Sequence, residues 1–241
     1  KKGKGLQVLW ITPLRALAKD LHRNMELACS EMDLAYTIGI RNGDTSTKER
    51  NAQKKQMPHA LIITPESLHL LFTQKNGADA FKNLHTIVVD EWHELMGSKR
   101  GTQTELALAR LRTINPNLQT WGISATIGNL AQAQQVLLGM GQPLTESAVI
   151  KANTHKKISV KSILPDRVET LPWSGYMGVK LLDQVVEIVN KSTTTLIFTN
   201  TRSQTEIWYR TILEKYPEFA GIIALHHASL DREIRDWVEE A

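Results

Sequence analysis

The stretch Thr86-Ile87-Val88-Val89-Asp90-Glu91-Trp92-His93 decides the fold, because an apolar run of strand length ends directly in two carboxylates. Such an uninterrupted run is typical of a strand that is buried on both faces of a parallel sheet. In open α/β sheets, ligands bind beyond the carboxyl ends of the strands, where an acidic residue can hold Mg²⁺ on a nucleotide phosphate. Capping of the next helix is the simpler alternative for this acidic pair.

A second polar signal follows the next predicted strand. Ser124-Ala125-Thr126 comes directly after the apolar Trp121-Gly122-Ile123, about 30 residues beyond the carboxylates, which is the length of one β-α-β unit. Because the carboxyl ends of parallel strands meet at one edge of the sheet, both signals point to the same crevice. The two signals together favour a nucleotide-dependent enzyme over an isolated helix cap.

The first part of the chain alternates strand-length apolar runs with amphipathic stretches of helix length, which is typical of a parallel sheet. Strands are predicted at residues 7–12, 36–40, 60–64, 86–90 and 120–124. Helices are predicted at residues 14–31, 45–56, 66–75, 102–113 and 129–138. This pattern predicts one doubly wound α/β domain over residues 1–150.

The pattern loosens after residues 139–143, and a basic, strand-like segment at residues 156–164 precedes a turn-rich region. Alternation then restarts, with helices predicted at residues 179–190, 203–215 and 231–240 and strands at residues 194–199 and 222–226. A second, truncated domain of the same plan is therefore expected over residues 151–241. Two β-α units are too few for a covered sheet, and the first sheet is expected to lack a strand before residue 7.

Composition excludes several classes of protein. Hydrophobic residues make up 41% and charged residues 22% of the 241 residues, as in ordinary globular domains rather than disordered or fibrous chains. A lone cysteine, Cys29, rules out an internal disulfide and favours a reducing cytoplasm. No apolar run approaches the length of a membrane span. The net charge of +4 is too small to identify a polyanionic partner by itself.

Five segments, in this order, resemble motifs Ia, Ib, II, III and IV of a superfamily 2 DEXH-box helicase. They are Thr12-Pro13-Leu14-Arg15-Ala16-Leu17, Thr64-Pro65-Glu66-Ser67-Leu68, Asp90-Glu91-Trp92-His93, Ser124-Ala125-Thr126 and Leu196-Ile197-Phe198-Thr199-Asn200-Thr201-Arg202. Each segment alone has an ordinary explanation, such as a turn or a helix start. Their order, with each at a predicted strand end, favours the helicase interpretation.

Four further details resemble the large helicase-related group, and within it the ligase-associated DEXH-box DNA helicases most closely. They are Trp92 inside motif II, the turn Gly43-Asp44-Thr45, residues 172–178, and His226-His227-Ala228-Ser229-Leu230. The resemblance implies tandem RecA-like domains. The phosphate-loop pattern Gly-x-x-x-x-Gly-Lys-[Ser/Thr] of motif I, and motifs V and VI, do not occur in the 241 residues. We therefore expect no ATPase activity from this stretch alone.

The resemblance assigns catalytic roles to motifs II and III. Asp90 is expected to hold Mg²⁺, Glu91 to activate the water that attacks ATP, and His93 to connect this site to Ser124 and Thr126 through hydrogen bonds. An ordinary surface histidine is the alternative for His93. A metal site formed by His85, Asp90 and His93 is disfavoured, because the ligand spacing of known zinc motifs is absent.

The resemblance also implies a path for single-stranded DNA. The Thr-Pro segments open helices, whose free N–H groups and positive dipole end favour phosphate oxygens. Trp92, Trp173, Trp208 and Trp237 could stack on bases, although tryptophan at helical spacing usually belongs to a core. Residues expected to line the strand are Thr12, Pro13, Arg15, Gly43, Thr64, Pro65, Glu66, Thr199, Asn200 and Arg202.

The expected function is that of an ATP-dependent DNA helicase or translocase acting in DNA repair, with ATP and Mg²⁺ as cofactors. A superfamily 2 RNA helicase and a non-catalytic nucleic-acid-binding scaffold remain the alternatives. The family resemblance suggests a DNA ligase and a nuclease as partners, and the cysteine content favours the cytoplasm.

Overall fold

We describe the fold from a computed structural model, which describes residues 5–75, 77–139, 145, 147–152, 157–165 and 178–240. The chain divides into two compact units, Lys1–Lys151 and Ala152–Ala241. Each unit is described by itself below. No helix in the described ranges is long and apolar enough to cross a membrane.

Unit 1 contains a five-stranded, fully parallel sheet with the strand order β2-β3-β1-β4-β5. All five strands predicted for this region are confirmed, with ends that agree to within two residues. The strands are β1 Val8–Ile11, β2 Ile38–Arg41, β3 Ala60–Ile63, β4 Thr86–Val89 and β5 Gln119–Gly122.

Six α-helices accompany this sheet among the described residues of unit 1. They are α1 Arg15–Glu31, α2 Thr47–Lys55, α3 Pro65–Phe72, α4 Trp92–Leu95, α5 Lys99–Ile114 and α6 Leu130–Leu138. A short 3-10 helix, Gly77–Phe81, precedes β4. The core lies where Leu61, Ile87 and Val89 of the central strands pack against Leu68 and Leu108 of the helices. Burial of these aliphatic side chains is the main force that holds sheet and helices together.

Local sequence explains where several helices begin. Ser46 caps α2 in a capping box with Glu49, and Pro65 occupies the first turn of α3, where its missing N–H costs nothing. Helix α5 begins at Lys99, three residues earlier than predicted, because the Ser98 hydroxyl accepts a hydrogen bond from the Gly101 N–H. The four-residue helix α4 was not predicted from sequence.

Unit 2 contains three α-helices in its described part, α7 Leu182–Asn190, α8 Arg202–Lys215 and α9 Arg232–Glu240. Short 3-10 helices at Gly178–Leu181 and Pro217–Phe219 accompany them. Leu182, Val186, Ile212 and Phe219 form a small core. The three predicted helices are therefore confirmed, although residues 178–181 form a 3-10 turn rather than the start of α7.

The strands predicted at residues 194–199 and 222–226 are wrong as paired strands. Both segments lack a β-ladder, and residues 157–164 of the basic segment also form no strand within the described part of unit 2. A strand is stable when neighbouring strands accept and donate its backbone hydrogen bonds, and the described residues offer these segments no such neighbour. Phe198 is 88% exposed and Ile222 is 78% exposed as a result. The predicted features at residues 140–143 and 172–177, including Trp173, lie outside the described residues.

Candidate functional site

The register of the sheet brings the predicted motif residues to one edge. Ile11 of β1 lies between Ile63 of β3 and Val89 of β4, and Val89 in turn pairs with Gly122 of β5. Thr64, Thr12, Asp90 and Ile123 therefore follow in order along the carboxyl edge. This is the position where the strand order of an open parallel sheet forms a ligand crevice.

The Asp90 carboxylate is fixed by hydrogen bonds on both oxygens. Trp10 Nε1 donates to Oδ2 at 3.2 Å, and the Glu91 backbone N–H donates to Oδ1 at 3.0 Å. The Asp90 N–H continues the ladder by donating to the Ile11 carbonyl. Asp90 is 8% exposed, so one rotamer of the carboxylate is held at the mouth of the crevice.

Glu91 has a strained backbone. Its φ of 49° and ψ of 43° lie in the left-handed region, which a residue other than glycine occupies at a cost of about 1–3 kcal/mol. This conformation ends β4 abruptly and begins α4, so that the Glu91 side chain turns towards His93. Strain of this kind is concentrated at functional sites, where the surrounding structure holds the unusual geometry.

Trp92 anchors the strained turn to the core. Its side chain is 2% exposed, its Nε1 donates to the Ala133 carbonyl at 3.1 Å, and its backbone N–H donates to the Ile123 carbonyl at 3.0 Å. Trp92 therefore joins motif II to β5 and α6 from inside the protein. The indole is not available to stack on a base.

His93 lies between motif II and motif III. Its Nδ1 is 3.1 Å from Ser124 Oγ and accepts a hydrogen bond from the Ala125 N–H at 3.1 Å. Because a backbone amide can only donate, Nδ1 carries no proton, and in the neutral ring the proton sits on Nε2. That nitrogen lies 3.4 Å from Glu91 Oε2 and 3.6 Å from Glu94 Oε1. The imidazole thus connects the Glu91 carboxylate to the Ser124-Ala125 segment.

Thr126 lies apart from this chain of contacts. Its side chain is exposed, and among the described residues it makes no hydrogen bond to His93. The expected pair of contacts from His93 to Ser124 and Thr126 is therefore replaced by contacts to Ser124 Oγ and the Ala125 amide.

The carboxylates fit a magnesium ion by their chemistry. Mg²⁺ prefers oxygen ligands and is usually held by one or two carboxylates together with water and substrate phosphates. Each Asp90 oxygen accepts one hydrogen bond that the structure records, and a carboxylate oxygen can accept more than one. In the described part of the chain, no three His, Cys, Asp or Glu side chains converge as in a protein-only metal site.

The Thr-Pro segments support the edge from beneath. Thr12 and Thr64 are 0% and 4% exposed, and Pro13 and Pro65 are also buried. Thr64 Oγ1 donates to Ser67 Oγ at 3.1 Å in the first turn of α3. Pro65 occupies the first turn of α3 and Pro13 lies two residues before the start of α1, where the fixed φ of proline suits a strand-to-helix turn. A role of these four residues in the strand path stays a prediction.

Glu66 is engaged by Arg100, a residue for which sequence reasoning assigned no role. Arg100 Nε donates to Glu66 Oε1 at 2.6 Å, and Arg100 Nη1 donates to the Pro13 carbonyl at 3.0 Å. Burial raises the pKa of Glu66, but hydrogen bonds from its own backbone N–H, from Arg100 and from Thr64 outweigh this and lower that pKa below the usual value. The carboxylate therefore stays ionised and occupies the start of α3.

Arg15 packs on the turn that contains Gly43. Its Nη1 donates to Asp44 Oδ1 at 3.0 Å, and a Cβ added to Gly43 would lie 2.7 Å from Arg15 Nη2, so a larger residue there would displace the end of the guanidinium. Both charged side chains are more than half exposed. Arg50, another residue missed from sequence, donates to the carbonyls of Asn42 and Thr45 and holds the same turn.

In unit 2, the motif IV residues lie at the start of α8. Thr201 caps the helix by accepting a hydrogen bond from the Gln204 N–H at 3.2 Å, and Gln204 Oε1 accepts from the Asn200 N–H at 3.2 Å. The Thr199 and Thr205 hydroxyls are 2.7 Å apart. Arg202 is exposed. Asn200 and Arg202 thus face solvent beside a helix start, while Trp208 packs against the small core.

Comparison with known proteins gives these positions a family context. The family model described as DEAD/DEAH box helicase matches residues 1–133. The ATP-dependent helicase Lhr-Core protein 2 of Thermococcus barophilus is 34% identical over 100% of this chain and 30% of its own length. The ATP-dependent helicase Lhr-Core of Methanothermobacter thermautotrophicus is 34% identical over 96% of this chain and 28% of its own length. The chain therefore spans about 30% of the length of these curated relatives.

Solved structures agree with this context. The structure of Mycobacterium smegmatis helicase Lhr bound to ssDNA and AMP-PNP matches with a TM-score of 0.72 and 28% identity over 99% of this chain and 32% of that one. The DUF1998 helicase MrfA bound to DNA matches with a TM-score of 0.73 over 98% of this chain and 34% of that one, and at 20% identity it supports the fold alone. The resemblance to a RecA-like superfamily 2 helicase core of the large helicase-related type is confirmed. The chain belongs to the DEAD/DEAH box helicase family.

Proposed function

We propose that this chain supplies motifs Ia, Ib, II, III and IV of a DNA helicase that couples ATP hydrolysis to movement along single-stranded DNA in the whole protein. The observation that carries the proposal is the continuous contact from Glu91 through His93 to Ser124 and Ala125. It connects a carboxylate suited to activating water with the segment that follows the next strand. A DNA-bound relative with an ATP analogue supports the ligands proposed here.

In the proposed reaction Asp90 would hold Mg²⁺, whose positive charge would offset the charge of the ATP phosphates. Glu91 orients the attacking water and accepts its proton. His93 donates its Nε2 proton towards Glu91 and holds the carboxylate in position. Its Nδ1 contacts Ser124 and Ala125, so the position of the ring depends on the position of that segment. A shift of motif III would therefore change the geometry of the base.

The proposed strand path uses the exposed members of the predicted set. Arg15 offers guanidinium donors beside the Gly43 turn, and Thr199, Asn200 and Arg202 offer donors at the start of α8. Contacts of this type reach phosphate oxygens and position a strand without reading its sequence. The buried Thr12, Pro13, Thr64 and Pro65 lie in the Thr-Pro segments that form the rest of the proposed path. In this proposal residues 1–150 form the first RecA-like domain and residues 151–241 contribute to the second.

Matched oligonucleotides test the proposal. We expect ATP hydrolysis by the whole protein to be stimulated by single-stranded DNA and less by RNA of the same sequence. Equal or stronger stimulation by RNA would favour an RNA helicase, since superfamily 2 motifs contact the backbone, which differs by the 2′-hydroxyl. Binding of DNA without any hydrolysis would favour a non-catalytic scaffold.

The biological setting is a further part of the proposal. Motif details resembling ligase-associated helicases favour a cytoplasmic role in DNA repair beside a DNA ligase and a nuclease. Co-purification of the whole protein with a ligase and a nuclease from nuclease-treated extracts would support this role. Purification without either partner would contradict it.

A further inference from the structure

We propose that Arg100 is a positioning residue that joins the two Thr-Pro segments of unit 1, residues 12–17 and 64–68, and attaches them to motif II, so that the start of α1 and the Gly43 turn are held in place for the strand backbone. The inference rests on the proposed nucleic-acid-binding function and names a residue that makes the site work without touching the strand.

The first observation is that Arg100 contacts both Thr-Pro segments. Its Nε donates to Glu66 Oε1 at 2.6 Å, and its Nη1 donates to the Pro13 carbonyl at 3.0 Å. Pro13 precedes α1, and Glu66 lies in the first turn of α3. One planar guanidinium therefore bridges the starts of two helices.

The second observation concerns charge at the start of α3. Glu66 is held ionised there and accepts from its own backbone N–H, so its carboxylate already occupies the position that a phosphate would take. In contrast, α1 has no acidic residue in its first turn and carries Arg15 instead. Arg100 offsets the Glu66 charge, and the approaching phosphate is directed towards α1 and the Gly43 turn rather than towards α3.

The third observation is a rigid connection from motif II to Arg100. Leu95 at the end of α4 is fully buried, and its carbonyl accepts from Ser98 Oγ at 2.7 Å and from the Ser98 N–H at 3.1 Å. A Cβ added to Gly101 would lie 2.0 Å from that same Leu95 carbonyl oxygen. Only glycine allows α5 to approach α4 so closely. This close approach fixes the backbone position of Arg100 at the start of α5. A movement of helix α4 would therefore move Arg100 and, through its hydrogen bonds, both Thr-Pro segments.

The test measures binding of a fluorescent single-stranded DNA to the whole protein across a salt series. We expect Arg100→Gln to weaken binding about tenfold, the size of effect that follows from losing charge-assisted hydrogen bonds. Because Arg100 contacts no phosphate, the slope of log affinity against log salt concentration should stay at the wild-type value. Loss of a direct phosphate contact would instead reduce the slope by about 0.7.

Three companion variants separate geometry from charge and from folding. Arg100→Lys keeps the charge but cannot present two donors in a fixed fork, and we expect it to bind as weakly as Arg100→Gln. Arg110→Gln, on the same helix but stacked on Phe72, removes an equal charge and should bind within about twofold of wild type, since exposed charges contribute little individually. Glu66→Gln combined with Arg100→Gln should cost little more than Arg100→Gln alone, because both act through one contact.

The outcomes distinguish this inference from the proposed function. Wild-type affinity in Arg100→Lys, or a reduced salt slope in Arg100→Gln, would overturn the positioning role while leaving the helicase proposal intact. Failure of the wild-type protein to bind single-stranded DNA would overturn the proposed function itself. A shared drop in urea midpoint for Arg100→Gln, Arg100→Lys and Glu66→Gln that accounts for the lost binding would also contradict the proposal.

Discussion

The two units hold their predicted motif residues in different ways. In unit 1, the ends of hydrogen-bonded strands carry Asp90, Glu91 and Ser124. In unit 2, a helix start carries Thr199, Asn200 and Arg202, beside segments that have no strand partner in the described part of that unit. In unit 1 the register of β4 and β5 sets how far motif II is from motif III. In unit 2 the positions of motif IV depend on local caps and side-chain contacts of α8. The site in unit 1 therefore depends on packing between segments that are distant in sequence, while the site in unit 2 depends on contacts between residues that are close in sequence.

The largest effect that tests this comparison is loss of tryptophan. Trp92 is 2% exposed, so Trp92→Ala should lower the free energy of unfolding by about 3–5 kcal/mol, because it removes an indole and a hydrogen bond from the main core. Trp208 is half-buried against a small core, and Trp208→Ala should cost about 1–2 kcal/mol. Urea unfolding followed by circular dichroism measures both. Equal costs would contradict the claim that the two units hold their sites differently.

The next effect concerns the connection between motifs II and III. His93→Ala should reduce the strand-stimulated kcat of the whole protein about tenfold, as expected when one linking hydrogen bond is lost from a polar chain. His59→Ala is a matched control, since His59 lies just before the amino end of β3 and contacts Thr37. A wild-type kcat in His93→Ala would show that motif III does not act through this ring.

A smaller effect compares the two exposed arginines. Arg15→Gln and Arg202→Gln should each weaken binding of single-stranded DNA uniformly across sequences and reduce the salt slope by about 0.7. Fluorescence anisotropy at several salt concentrations measures both slopes. If one variant loses affinity only for particular base sequences, the residue replaced in it does not belong to the proposed strand path. The same holds for Arg202 if its variant keeps the wild-type salt slope.

The smallest effect is a pH dependence within unit 2. Hydrogen bonds from Lys215 and from Tyr216, the latter at 2.6 Å, lower the pKa of Asp183 below its ordinary value of 3.8. A lowered carboxyl pKa stabilises the fold above the unfolded value, and this stabilisation is lost as pH falls through the folded value. Asp183→Asn should therefore lower the urea midpoint slightly at neutral pH, and the difference from wild type should vanish in strong acid. A difference that grows on acidification would contradict this assignment.

Much of unit 1 could be predicted from sequence because strand periodicity and motif order are local signals. The apolar runs before Asp90 and Ser124 predicted both strands and the shared crevice. Burial of Thr12 and Pro13 could not be predicted, because it depends on helices packed from elsewhere in the chain. The contacts of Arg100 could not be predicted for the same reason: it lies 34 residues from Glu66 and 87 residues from Pro13, and no spacing rule connects them.

The strands predicted for unit 2 show what a sequence pattern cannot reveal, namely whether a strand has a partner. Residues 194–199 have the composition of a buried strand, but composition reports a preference for burial rather than the presence of a partner. Helices α7 and α8 could be predicted because their hydrogen bonds are made within the segment itself. The strand prediction therefore succeeds in unit 1, where each apolar run has hydrogen-bonded neighbours, and fails in unit 2, where the described residues offer none.

The central claim is that Glu91 is the base that activates water for ATP hydrolysis, and Glu91→Gln in the whole protein tests it most directly. The account predicts that kcat for strand-stimulated ATP hydrolysis falls by about 100-fold or more while ATP still binds, because an amide cannot accept the proton. Glu94→Gln, at an exposed position in the short helix α4 that begins directly after Glu91, should remain near wild type. A kcat near wild type in Glu91→Gln would contradict the account.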